Sequence, residues 1–202
     1  MRTPEQNREN RMTPVQESNV DYFDYLSQRS ALAWLYRKYW LYPRLCRHLS
    51  GCVLDIGCGI GDLLAFRPDT VGTDINPSAV NWCRGNGHLA ELMLPDMLPF
   101  GPADFDGVVI DNVLEHIIDP VPLLSEARRV LRPGGTAVIG VPGKKGYACD
   151  PDHKVFYDES GLITVMAAAG FSARKLLSMP VRSSWLDAHM RQYCLYGVFQ
   201  RD

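Results

Sequence analysis

Three glycines at alternate positions follow a short apolar run, where residues 53–62 read VLDIGCGIGD. Glycine adopts positive backbone φ angles readily, and it lets a ligand approach the main chain closely because it has no Cβ. This spacing is typical of the loop that joins a buried strand to a helix beside a nucleotide. The segment therefore predicts an α/β fold with a nucleotide site at this loop.

Two carboxylates indicate which class of nucleotide the predicted site would bind. Asp55 lies at the predicted strand tip, where it would repel the pyrophosphate that normally sits at the following helix N-terminus. It would instead attract a positively charged ligand such as S-adenosylmethionine, which carries a sulfonium and an ammonium group. Asp74 follows nineteen residues later, at about the spacing from which an acidic residue accepts hydrogen bonds from ribose hydroxyls.

The composition indicates one globular domain with an ample core, since 46% of the 202 residues are hydrophobic and 22% are charged. A net charge of −2 gives no general attraction to nucleic acid, and we expect no nucleic-acid partner. The six cysteines are scattered without a CxxC pair, which is typical of reduced thiols. No apolar run approaches the roughly 20 residues of a membrane span. We therefore expect a cytoplasmic protein.

The N-terminal quarter of the chain differs from the rest. We expect the polar residues 1–19 to be disordered, residues 20–50 to form an aromatic helical cap, and residues 51–202 to form the main domain. Five cations and no acidic residue occur between Tyr25 and Leu54. A basic, aromatic helix can make peripheral contact with an anionic membrane or bind a phosphate. The alternative is a pair of amphipathic helices that cover the sheet and close the cofactor pocket.

Strand and helix patterns alternate after residue 50, which predicts a mostly parallel sheet flanked by helices. The expected strands are 52–55, 70–74, 89–92, 107–111, 136–141, 172–179 and 193–200. The expected helices are 61–66, 77–84, 113–116, 121–131 and 159–169, with loops near 143–158 and 181–190. The fold class is thus α/β with seven strands, of which the last is antiparallel and closes the sheet as a hairpin.

Four separated motifs, at 53–61, 71–76, 105–117 and 131–135, occur in the order found in one large family. They resemble the Rossmann-like, class I S-adenosylmethionine-dependent methyltransferases, in the type 11 branch that includes the ubiquinone O-methyltransferases. The resemblance runs from about residue 53 to residue 171. It implies S-adenosylmethionine as cofactor and S-adenosylhomocysteine as product.

The resemblance also implies which residues bind the cofactor. The glycine motif would hold the methionine moiety, the second-strand motif the ribose, and the end of the third strand the adenine. The end of the fourth strand completes the site. The residues that match these positions are Asp55, Gly57, Cys58, Gly59, Gly61, Asp74, Ile75, Asn76, Asp96, Met97, Asp111 and Asn112.

The candidate catalytic residues are His153, His116 and Glu115. An alcohol acceptor needs a base, and histidine is suited to this because its pKa lies near neutrality. His116 follows the fourth strand, on the side where open parallel sheets bind ligands, and Glu115 could orient it or bind a metal. His153 lies after the fifth strand in a pattern, Asp-x-x-His-x-x-Phe, similar to one found in methyltransferases that modify glycans and small molecules. The alternative interpretation is that these residues only cap the turn and pin the loop.

We therefore expect O-methylation of a small-molecule or glycan acceptor, including lipid- or nucleotide-linked glycans, with a histidine as general base. One alternative is N-methylation of a small amine or a protein, where no enzyme base is needed. Another is a cofactor-binding regulator without turnover. The sequence assigns no set of metal ligands, and it leaves metal dependence and oligomeric state open.

Overall fold

The computed structural model describes residues 31–202, within which seven strands form one sheet. The predictions for residues 1–19, and for the part of the helical cap at 20–30, lie outside the described residues. The strands, in chain order from β1 to β7, are Val53–Ile56, Thr70–Asp74, Ala90–Leu92, Phe105–Asp111, Leu131–Pro142, Phe171–Met179 and Cys194–Arg201.

Eight α-helical segments accompany the strands of the described part of the chain. From α1 to α8 they are Ala31–Tyr36, Tyr42–Leu45, Asp62–Phe66, Pro77–Gly85, Val121–Val130, Lys144–Ala148, Glu159–Ala168 and Ser184–His189. A π-helical turn, Arg37–Leu41, joins α1 to α2, and 3₁₀ turns occupy Cys46–His48 and Leu114–His116.

The strand order is β3-β2-β1-β4-β5-β7-β6, so β1 lies near the middle with β2 and β4 as parallel neighbours. Only β7 runs against the others, because it pairs antiparallel with both β5 and β6. The predicted fold class is confirmed: a mostly parallel seven-stranded sheet with an antiparallel last strand and helices on its faces.

Alternation along the central strands decides which side chains reach the ligand side. Leu54 and Ile56 of β1 join the larger core cluster with α5 and α7, whereas Val53 packs with the N-terminal helices. Because successive side chains of a strand point to opposite faces, Asp55 shares the face of Val53. The same alternation places Asp111 of β4 on that face, since Val109 also packs with the N-terminal helices.

Residues 31–49, which we call the N-terminal segment, cover this face of the sheet. Leu41, Tyr42, Leu45 and Leu49 are buried there against β1, β4 and β5. Pro43 kinks or breaks a helix, since it lacks an N–H and its ring crowds the preceding turn. The π-helical turn directly before it, in which the N–H of Tyr42 donates to the carbonyl of Arg37, is the local adjustment.

The structure departs from the sequence predictions at a few element boundaries. Helices α6 and α8 lie where loops were expected, and α8 begins where the Ser183 side chain accepts a hydrogen bond from the N–H of Leu186. Strand β5 starts at Leu131 instead of residue 136, and a register shift against β4 accommodates its Pro-Gly-Gly. Over residues 31–202, no helix has both the length and the apolar character needed to cross a membrane.

Candidate active site

A cavity of about 850 Å³ opens at the carboxyl ends of β1, β2 and β4, beneath the N-terminal segment. Seven aspartates and two arginines are among its lining residues. Ten of the residues proposed from the sequence line it: Asp55, Gly57, Cys58, Gly59, Asp74, Ile75, Asp96, Asp111, Asn112 and His116. The other five, which lie beside the cavity without lining it, are Gly61, Asn76, Met97, Glu115 and His153.

One carbonyl of the neighbouring strand accepts two hydrogen bonds from the glycine loop. The N–H groups of Gly57 and Cys58 both donate to the carbonyl of Thr73, at 2.7 and 3.0 Å. Gly57, Gly59 and Gly61 have φ angles of 78°, 52° and 80°, which favour glycine. A Cβ on Gly57 would lie 2.5 Å from Val113 Cγ2, so the turn also needs glycine for space.

Asp74 fixes the glycine loop to the end of β2. Its Oδ2 accepts a hydrogen bond from the N–H of Gly59 at 2.9 Å, and its Oδ1 accepts one from the N–H of Asn76 at 2.8 Å. Burial raises the pKa of Asp74, and these amides lower it. Asn76 does not face the cavity, because its side chain caps α4 by accepting from the N–H of Ser78.

Asp55 is a buried carboxyl among other carboxyls. Burial is the largest cause that raises its pKa well above the usual range, followed by the charges of Asp111 and Asp74, while Arg37 lowers it. A carboxyl in this position favours any ligand that brings positive charge to the cavity.

Arg37 brings a cation from the N-terminal segment into this acidic cavity. Its Nη1 lies 3.2 Å from Asp111 Oδ2 and donates to the Tyr42 hydroxyl at 3.1 Å. Asp111 Oδ1 accepts from the Tyr196 hydroxyl at 2.8 Å and from Asn112 Nδ2 at 2.9 Å. These contacts orient the carboxylate at the end of β4.

The end of β3 contributes Asp96 to the cavity wall but not Met97. Leu94 and Met97 pair with each other through their backbones, so the chain turns tightly between them and leaves the Met97 side chain 56% exposed. Met93 and Pro95 line the cavity instead. The adenine contact that the resemblance placed at Met97 therefore has Met93 and Ile75 as apolar candidates.

The loop after α6 is tied to the turn that follows β4. The carbonyl of Glu115 accepts hydrogen bonds from the N–H groups of Lys154 and Val155, at 2.6 and 3.1 Å. This pairing brings His153 over Glu115 and beside His116, with 4.7 Å between the centroids of the two imidazole rings. His116, Asp150 and Asp152 line the cavity, whereas Glu115 and His153 lie behind them.

The Glu115–His116–His153 cluster is strongly desolvated. Burial raises the pKa of Glu115 to about 8, although its own amide favours the ionised form. Burial and the neighbouring His153 lower the pKa of His116. His153 Nδ1 lies 2.9 Å from the Tyr147 carbonyl, and its Nε2 lies 3.8 Å from Glu115 Oε1. At neutral pH, His116 is thus an uncharged imidazole at the cavity wall.

Sequence reasoning missed several lining residues, among them the polar residues Arg37, Tyr42, Cys149 and Arg191. The cluster of cations without acids in the N-terminal segment was a usable signal for Arg37. The other three are placed by long-range packing, for which the sequence carries no local pattern.

Comparison with known proteins agrees with this geometry. The profile of a family described as "Methyltransferase domain" matches residues 54–139. A probable S-adenosylmethionine-dependent methyltransferase of Mycolicibacterium smegmatis is 32% identical over 165 residues, which cover 72% of this chain and 62% of that protein. The trans-aconitate 2-methyltransferase of Azoarcus is 29% identical over 157 residues, covering 73% and 60%. This chain thus spans less than two thirds of either relative.

The solved structures show the same fold. An S-adenosylmethionine-dependent methyltransferase from Methanosarcina mazei superposes with a TM-score of 0.64 at 20% identity, over 80% of this chain and 98% of that one. The ordered motifs, the sheet topology and the matched profile lead to one conclusion. Residues 54–139 of this chain match the methyltransferase domain, and the fold is that of the Rossmann-like, class I S-adenosylmethionine-dependent methyltransferases.

Proposed function

We propose that this protein transfers the methyl group of S-adenosylmethionine to an oxygen atom of a small-molecule or glycan acceptor. The observation that supports this most directly is the buried acidic cavity at the carboxyl ends of β1, β2 and β4, which is suited to a cationic nucleoside. When bound, S-adenosylmethionine supplies a methyl group already attached to a good leaving group.

The chain's own residues fit this cofactor. Asp74 is fixed by two amides and retains carboxylate lone pairs for ribose hydroxyls. Asp96 would accept from the adenine amino group, with Ile75 and Met93 against the ring. Asp55 and Asp111 would face the positive charges, and the pKa of Asp55, raised by burial and by these neighbours, would fall as a cation arrives.

Arg37 is the residue we assign to the amino-acid carboxylate of the cofactor. It lines the cavity, with its Nη1 3.2 Å from Asp111 Oδ2 and its Nε 4.0 Å from Asp62 Oδ2. Arg37 therefore connects the N-terminal segment to these two acids. Its contacts with Asp111, Asp62 and the Tyr42 hydroxyl involve Nη1 and Nε, which leaves the Nη2 N–H groups for a ligand carboxylate.

We assign the removal of the acceptor proton to the histidine cluster. His116 is the member on the cavity wall, and its lowered pKa keeps it in the neutral form that accepts a proton near pH 7. His153 and Glu115 lie behind it and position it. The chain itself otherwise needs only to align the reactants and exclude water.

The class of acceptor is supported by the cavity size and by the relatives. A volume of about 850 Å³ holds both the cofactor and a compact acceptor. The Azoarcus relative is named for a small molecule, trans-aconitate. We also propose a reducing, cytoplasmic location, since all six cysteines are free.

Contact with a membrane surface is supported by the exposed face of the N-terminal segment. Trp34, Tyr39 and Trp40 are exposed there, with Lys38 over the Trp34 ring and Arg44 over the Trp40 ring. Aromatic rings beside cations are the side chains that bind the interface of an anionic bilayer.

The test is a screen of alcohols, phenols, carboxylic acids, sugars and amines for S-adenosylhomocysteine release, with mass spectrometry of the methylated product. His116→Asn should lower turnover roughly 10²- to 10⁴-fold while cofactor affinity stays within twofold. His189→Asn, on the exposed helix α8, serves as the matched control. Methylation at nitrogen, or full activity of His116→Asn, would contradict the assignment.

A further inference from the structure

Three potential ligand atoms of the Glu115–His116–His153 cluster lie within 4.8 Å of one another, one from each side chain. We infer that these residues form a binding site for a divalent transition metal ion of the Zn²⁺ class.

The Glu115 carboxylate is the first observation. Its residue is 1% exposed, and neither of its oxygens accepts a hydrogen bond of normal geometry from residues 31–202, the amide of Glu115 itself included. A buried carboxyl group without such partners is costly, and proteins normally pair the group or use it to bind a metal. The histidine nearest to it does not satisfy it, because His153 Nε2 lies 3.8 Å from Glu115 Oε1, too far for a hydrogen bond.

The tautomer of His153 is the second observation. Its Nδ1 lies 2.9 Å from the Tyr147 carbonyl oxygen, and a carbonyl only accepts, so Nδ1 carries the proton. The lone pair is therefore on Nε2, which faces Glu115 Oε1 at 3.8 Å and Asp150 Oδ2 at 3.9 Å. In metal-binding histidines, the ring nitrogen that does not face the metal usually donates to a backbone carbonyl or a carboxylate in this way.

The distances suit a metal better than they suit direct contact. Two ligands that each lie about 2.1 Å from a tetrahedral Zn²⁺ are about 3.4 Å apart. The observed 3.8 Å between Glu115 Oε1 and His153 Nε2 is close to this separation. Tyr147 stacks on the His153 ring with 5.4 Å between centroids, and the Lys154 and Val155 amides hold the loop to Glu115, so the ligand positions are fixed in advance.

The ligand types select the metal. Two imidazoles and one carboxylate form the set that binds catalytic zinc with one coordination position open, whereas Mg²⁺ and Ca²⁺ prefer oxygen ligands. His116 lines the cavity together with Asp150 and Asp152, so an ion held by the cluster would lie beside the space proposed for the acceptor.

The role of the open coordination position rests on the proposed function. An acceptor hydroxyl bound there loses its proton to solvent more readily, because a coordinated oxygen has a lowered pKa. His116 is then a ligand, and it acts as the base only in the metal-free protein.

The experiment uses the full chain, treated with EDTA, and titrates it with Zn²⁺ or Mg²⁺ by calorimetry. We expect one equivalent of Zn²⁺ to bind and Mg²⁺ to bind far more weakly. Glu115→Gln and His153→Gln should each weaken Zn²⁺ binding by at least the roughly 10- to 100-fold that the loss of a supporting residue costs. His189→Gln is the control, because His189 Nδ1 also faces a backbone carbonyl, that of Trp185 at 2.8 Å.

Equal Zn²⁺ affinity in the wild type and both cluster variants would overturn the site, as would a preference for Mg²⁺. If a variant fails to fold, the wild type decides through Co²⁺, whose strong visible bands mark a four- or five-coordinate site with nitrogen ligands. A weak six-coordinate spectrum would also overturn the inference. S-adenosylmethionine binding, measured on the same samples with and without metal, separates failure of this site from failure of the methyltransferase function.

Discussion

The guanidinium of Arg37 lies 3.2 Å from Asp111 Oδ2, so the N-terminal segment neutralises the carboxylate that ends β4. The pair is mostly buried, with side-chain exposures of 22% and 14%. Removal of one member leaves the other charge in a desolvated position, whereas removal of both does not. This difference makes the pair suitable for a double-mutant cycle.

Arg37→Gln should lower the free energy of unfolding by about 1–3 kcal/mol, because Asp111 loses its counter-ion. Arg37→Gln combined with Asp111→Asn should recover part of this loss, since the amide retains an acceptor for the Tyr196 hydroxyl. Urea unfolding at pH 7 measures the free energy of unfolding of these two variants and of the Asp111→Asn single variant. If the two single effects add without coupling, the ion pair does not stabilise the N-terminal segment on the sheet.

Asp55→Asn should stabilise the ligand-free protein at neutral pH and weaken the binding of S-adenosylmethionine. The pKa of Asp55 is raised in the folded state, so folded protein holds the proton that unfolded protein loses above about pH 4. The contribution of Asp55 to the free energy of unfolding therefore falls as pH rises. The asparagine variant has no carboxyl group to ionise, so it does not lose this stability. Thermal melts at pH 4.5 and pH 8 should show the advantage of the variant growing with pH; a constant difference would exclude this cause.

Asp74→Asn should weaken the binding of S-adenosylhomocysteine by about 1–3 kcal/mol, or roughly 5- to 150-fold. The change removes the charged acceptor proposed for the ribose, and it places an amide where Oδ1 and Oδ2 accept from Asn76 and Gly59. Calorimetry measures the affinity. Asp69→Asn is the control, since the Asp69 side chain is 68% exposed and pairs with Arg67 at the surface.

Gly140→Ala should destabilise the protein by about 1–3 kcal/mol, because the new methyl group has no space. Its Cβ would lie 2.4 Å from both Asp111 Oδ1 and Tyr196 Cε1. Gly85→Ala is the matched control: nothing lies within 4 Å of its Cβ position, and it ends helix α4. That control should be neutral or stabilising by up to about 1 kcal/mol. Equal effects of the two alanines would argue against tight packing around Asp111.

The sequence predicted those cavity-lining residues whose position depends on local chain geometry. Gly57, Gly59 and Asp74 belong to a tight turn after one strand and to the end of the next strand, and such patterns can be read from residue spacing alone. The position of Arg37 depends on how a helical segment packs on the sheet, which local patterns do not specify. The burial of Glu115 was not predicted for the same reason, since it depends on a loop some forty residues further along the chain.

The end of the third strand shows how a short turn affects which side chain reaches the cavity. Met97 aligned with the family pattern, but the pairing of Leu94 with Met97 reverses the chain over four residues. The side chain that reaches the cavity is therefore that of Met93, immediately after β3. The tight turn determines which side chain lines the cavity, and residue spacing alone does not reveal it.

The N-terminal segment lies outside residues 54–139, yet its Arg37 and Tyr42 form part of the cavity lining. A chimaera that transplants only residues 54–139 into another scaffold would carry the glycine loop and the acidic strand ends without the N-terminal segment that covers them. It would also expose Leu63 and Val109, which Leu41, Tyr42 and Leu45 cover here. Exchange of residues 31–49 among relatives is accordingly the smaller graft, one that would retune the donor pocket while the strand framework stays in place.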